Sequence, residues 1–109
     1  MSKHLIITIP AEQKHLSRQI AQGVEEFADV SQAPSYTDLE TIKLVLDIVG
    51  QGVAIAGGVA GIVTFLRSLL QTQAATGTII NIFLTVPGHP PVSVEEADAE
   101  LLARLLLNA

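Results

Sequence analysis

The sequence predicts an α+β fold, a small antiparallel sheet covered by amphipathic helices, within a single domain spanning residues 1–109. Three observations carry that expectation. Short β-branched runs stand at residues 4–9 and 78–86, apolar residues recur at helical spacing over 10–27 and 94–107, and a long aliphatic stretch rich in glycine and alanine lies between them. A chain of 109 residues can also bury a core without metals or disulfides to hold it together.

Leu5 to Ile9 is short and β-branched, the signature of a buried strand over 4–9. Pro10 fits the first position of a helix, where its missing N–H would have had no partner. Leu16, Ile20, Val24 and Phe27 then recur at spacings of four, four and three, which predicts an amphipathic helix over 10–27. A weakly signalled strand at 28–31 precedes the connector Ser31-Gln32-Ala33-Pro34-Ser35. Thr37 with Glu40 has the spacing of a capping box, so a second helix is expected over 38–73, with Gly77 as its stop. Such a helix would be on the order of 50 Å long, and Gly50 to Gly52 or Gly57-Gly58 are where it would break. Residues 78–86 alternate Ile80, Ile82, Leu84 and Val86 against Ile79, Asn81, Phe83 and Thr85, the period of a strand. After the turn Pro87-Gly88-His89-Pro90-Pro91, residues 91–94 can pair back to make a hairpin. Ser93 with Glu96 repeats the capping-box spacing, and the leucines that follow supply the apolar face of a last helix over 94–107.

The second helix carries the functional expectation. Lys43, Asp47, Gly50, Ala54, Gly57, Gly61, Thr64, Ser68 and Gln71 alternate steps of four and three, and every member is polar or small. Each interior glycine costs about 0.8–1.0 kcal/mol of helix stability relative to alanine, and an exposed helix face is ordinarily charged, so this seam calls for a compensating contact. Gly57 and Gly61 form a small-xxx-small pair of the kind that lets two helix backbones approach. Gly50, Ala54, Gly57, Gly61, Thr64 and Ser68 are accordingly the candidate partner-binding residues, for a second copy of the chain or the helix of another protein. The competing expectation is membrane insertion. Residues 48–66 hold only Gln51 and Thr64 as polar members and meet the length of a span, but no Lys/Arg cluster or Trp/Tyr belt marks their flanks.

Other functions find little in the residues. Six basic side chains are scattered singly against eleven acidic ones, a net charge of −5, which offers nothing to neutralise a phosphate backbone and argues against nucleic-acid binding. The absence of cysteine removes thiolate nucleophiles and thiolate metal ligands. Glu12 and His15 match a Glu-x-x-His motif once, where a di-iron bundle needs two with further glutamates, so a solvated helix face explains them. His89 sits in a turn, and Glu95, Glu96, Asp98 and Glu100 open a helix, where negative charge is favoured. No phosphate loop or nucleophile elbow occurs, and neither catalytic residues, metal ligands nor a cofactor site are expected. The N-terminal apolar run is too short for a signal-peptide core, which points to the cytoplasm, or to membrane association if 48–66 inserts.

The run Val49-Gly50-Gln51-Gly52-Val53-Ala54 through Thr64-Phe65-Leu66-Arg67-Ser68-Leu69-Leu70, then Thr78-Ile79-Ile80-Asn81-Ile82-Phe83-Leu84-Thr85-Val86, a Pro-Gly turn and a leucine-rich final helix, resembles the effector-associated constant component proteins of bacterial conflict systems. The resemblance covers about residues 40–107 and is one of pattern. It implies a non-enzymatic component that couples a defence effector to its partners.

Overall fold

The computed structural model describes residues 2–35, 41–49 and 53–108. In chain order these form β1 (Ser2–Pro10), a 3-10 turn (Ala11–Gln13), α1 (Lys14–Val24), β2 (Asp29–Ser35), β3 (Thr41–Val49), α2 (Val53–Ala75), β4 (Phe83–Thr85), β5 (Val92–Ser93) and α3 (Ala99–Leu107). The strands make one antiparallel sheet in the order β2-β3-β1-β4-β5, and the fold is α+β as expected.

The central ladder joins β1 to β3 without a break, from Ser2 opposite Val49 to Pro10 opposite Thr41. Leu5, Ile7 and Ile9 of β1 share a face with Ile42, Leu44, Leu46 and Ile48 of β3, and all are buried beneath the helices. Ile6, Thr8 and Val45 point the other way and are half-buried, with His4 and Lys43 exposed beside them. Side chains alternate across a strand, so one layer of helices needs only one apolar face of the sheet.

The expected helix over 38–73 is thus corrected. Residues 41–49 alternate apolar with less apolar side chains at a period of two, are rich in β-branched types and find a nine-residue partner in β1, so the strand prevails. The helix proper starts at Val53 and reaches Ala75. The Thr37/Glu40 pair and the break around Gly50 to Gly52 lie outside the described residues. Gly77 does terminate α2, with φ +87 and the Gly77 and Thr78 amides donating to Ala74 and Gln73.

Smaller shifts have local causes. Pro10 closes β1 instead of opening α1, whose helical run begins only at Lys14. The 28–31 strand exists and extends to Ser35 with two register shifts against β3. Over 78–86 the expected alternation holds, with Ile80, Ile82, Leu84 and Val86 buried and Ile79 86% exposed. Ladder pairing is confined to Phe83–Thr85, since β4 meets β1 only across Ile6 to Thr8. The last helix starts at Ala99, not 94, because Asp98 is its cap: its Oδ1 accepts from the Glu100 amide at 3.0 Å and the Leu101 amide at 3.3 Å. Ser93 ends β5 and Glu96 lies in the turn that follows, its amide donating to the Ser93 carbonyl, and the Val94 and Ala97 carbonyls of this segment both accept from the Arg67 guanidinium.

Candidate helix-face interaction site

The helix α2 occupies the middle of the helical layer. Ile55, Val59, Ile62, Val63, Leu66, Leu69 and Leu70 are buried, while Phe65 packs beside α1 and α3 lies along the other flank. What remains outward is the small-residue side, and the expected seam can be followed along it. Ala54, Gly57, Thr64 and Ser68 are exposed, Gly61 is half-buried, and Gly50 lies outside the described residues. The two charged members at the start of the heptad series, Lys43 and Asp47, sit on β3 and leave the seam.

The glycines of the seam do different things. A side chain at Gly57 would meet no atom within 4 Å, so its face is open. At Gly61 a Cβ would overlap the ring of Phe27, which follows α1 and lies on the glycine. Gly58 is close-packed too, with the Phe27 carbonyl oxygen 3.1 Å and the Ile48 Cγ2 3.3 Å from where a Cβ would stand. The close approach expected of the seam is made at Gly61 by the chain's own Phe27, and the neighbouring Gly58 is closed by Phe27 and Ile48, while Ala54, Gly57, Thr64 and Ser68 keep an outward face.

A reciprocal contact joins the two helices: the Phe65 ring of α2 lies on Gly23 of α1, where a Cβ would overlap the tip of the ring. Gly23 and Phe65 join Gly61, Thr64 and Ser68 around a hollow of about 530 Å³ between the two helices. On the opposite flank a second hollow of about 430 Å³ runs between α2 and α3, floored by Ala56, Ala60, Ala99 and Ala103, closed by Leu107, and edged by Glu100 and Arg104. Ala60 borders both hollows. The signal for the second was present as two alanine pairs at a spacing of four, Ala56 with Ala60 and Ala99 with Ala103. Val53, 87% exposed, stands at the open end of α2.

Among the described residues the histidines lie apart from one another. His4 Nδ1 lies 2.5 Å from Asp47 Oδ1 across the β1–β3 ladder, while His15 and His89 are exposed on α1 and in the 86–89 turn. Among the described residues no three His, Asp or Glu side chains are placed to hold a metal ion. By length and composition α2 is also apolar enough to cross a membrane, although the expected span does not form as read, since Ile48 and Val49 belong to β3. Neither a protein-family model, nor a curated protein, nor a solved structure matches the chain.

Proposed function

We propose that this chain is a non-catalytic interaction module that assembles through the outer, small-residue face of α2, with a second copy or with the helix of another protein, as a cytoplasmic component of a bacterial defence or signalling complex. The observation that carries the reading is that Ala54, Gly57, Thr64 and Ser68 present an exposed, uncharged strip of the helix, with a hollow on each side. Exposed faces of soluble helices are ordinarily polar and charged, and a flat uncharged one suits close packing against another helix. The defence setting rests on the sequence pattern over about residues 40–107 alone.

Gly57→Leu tests this cleanly, because the position has open space in the folded chain. The variant should keep its far-ultraviolet helix signal and lose mass by light scattering, alone or in a purified complex. A mass equal to that of the unaltered protein would end the proposal.

A further inference from the structure

We infer that the hollow between α2 and α3 is a self-docking site, filled by α3 of a second copy about a two-fold axis midway between Glu100 and Arg104. The inference rests on the assembly reading above, and it names the occupant. An occupant must match three features. The floor is small and apolar, made by Ala56 and Ala60 from one helix and Ala99 and Ala103 from the other. The far end is Leu107, still 42% exposed although apolar. The outer edge carries one acid and one base a single turn apart, Glu100 and Arg104, which pair within the chain at 2.8 Å.

A rim with one charge of each sign on one helix is complementary to itself. Laid antiparallel on its own copy, α3 sets Glu100 against the partner's Arg104 and Arg104 against the partner's Glu100, the reciprocal contact of an isologous dimer. Leu107 of each copy then reaches the Ala99 end of the other's hollow, where small side chains leave room. The rim is neutral in sum, so two copies of a chain of net charge −5 can meet there without local repulsion. A foreign helix would need an acid and a base in the same register, and this chain already carries them.

Charge exchange between copies provides the test. The unaltered protein should run by light scattering at twice the 11.5 kDa chain mass. Glu100→Arg sets Arg against Arg at both symmetric contacts, and Arg104→Glu sets Glu against Glu, so each variant alone should dissociate about tenfold more readily or worse. Mixed in equal amounts, the two variants become complementary and should recover the doubled mass, as should the double variant E100R/R104E by itself. Both positions are exposed, so circular dichroism should show each variant folded. A single-chain mass for the unaltered protein overturns self-docking but leaves a partner helix on α2 open to the Gly57→Leu test. Single variants that keep the doubled mass, or a mixture that fails to recover it, overturn the α3 geometry. If Gly57→Leu dissociates the protein while the charge variants do not, the α2 face stands and this inference falls.

Discussion

Gly57 and Gly61 stand one turn apart on α2, and a methyl group added to each would meet opposite surroundings. At Gly57 it would stand in open space, so Gly57→Ala should gain about 0.5–1 kcal/mol from helix propensity. At Gly61 it would collide with the Phe27 ring, and Gly61→Ala should lose about 1–2 kcal/mol even after that gain. Urea denaturation midpoints compare the two, and equal shifts would mean that Phe27 does not depend on the glycine. Asp98→Ala should cost about 1 kcal/mol in the same assay, since it leaves the Glu100 and Leu101 amides without their cap. Spacing alone made Gly57 and Gly61 equivalent members of one seam. Their difference comes from Phe27, whose own place depends on the turn after α1, where the Phe27 and Ala28 amides both donate to the Val24 carbonyl. No periodicity within α2 could carry that information.

Among the elements, the turn that leads into α3 is tied to α2 by a side chain. The Arg67 guanidinium donates to the Val94 and Ala97 carbonyls, so Arg67→Ala should cost about 1–2 kcal/mol. The loss should appear first as faster amide exchange in Ala99–Leu107, with the β1–β3 ladder still protected; uniform acceleration would mean that α3 is not separately anchored. Element identity was readable in α1 and over 80–86. Leu16, Ile20 and Val24 fall on the buried face of α1, and the even-numbered residues of 80–86 fall inward as their alternation requires. It failed at β3. Ile42, Leu44, Leu46 and Ile48 alternate, but Val45 and Val49 fill the intervening positions and blur the period, and the apolar run resumes in α2 four residues after Val49. What makes 41–49 a strand is its partner β1, more than thirty residues earlier in the chain. The α2–α3 hollow was missed for a similar reason, because its two alanine pairs acquire meaning only when the helices lie side by side.

For the whole molecule, one layer of helices on one face of the sheet decides how α2 can behave at a membrane. Were α2 to leave for lipid, the core it helps to cover, Ile48 beside Gly58 among it, would open to water at about 1.5–3 kcal/mol for each large side chain. Together that approaches the entire stability of an ordinary domain. The folded protein should therefore stay at the bottom of a flotation gradient with neutral or acidic lipid vesicles and release no trapped dye. Flotation at neutral pH would restore membrane insertion as the leading function, with the same small residues serving helix association in lipid.

The place of β1 between β3 and β4 also sets a timetable for synthesis. β1 leaves the ribosome before both of its neighbours, which end at Val49 and Thr85. At about 5–20 residues per second, Leu5, Ile7 and Ile9 wait about 2 to 8 seconds for β3 and longer for β4. During that interval a β-branched, apolar segment has no edge to join, and it is the part of the nascent chain most exposed to chaperones and to copies of itself on neighbouring ribosomes. Polar replacements at Ile6, which the finished sheet leaves half-buried, should raise soluble yield with little loss of final stability.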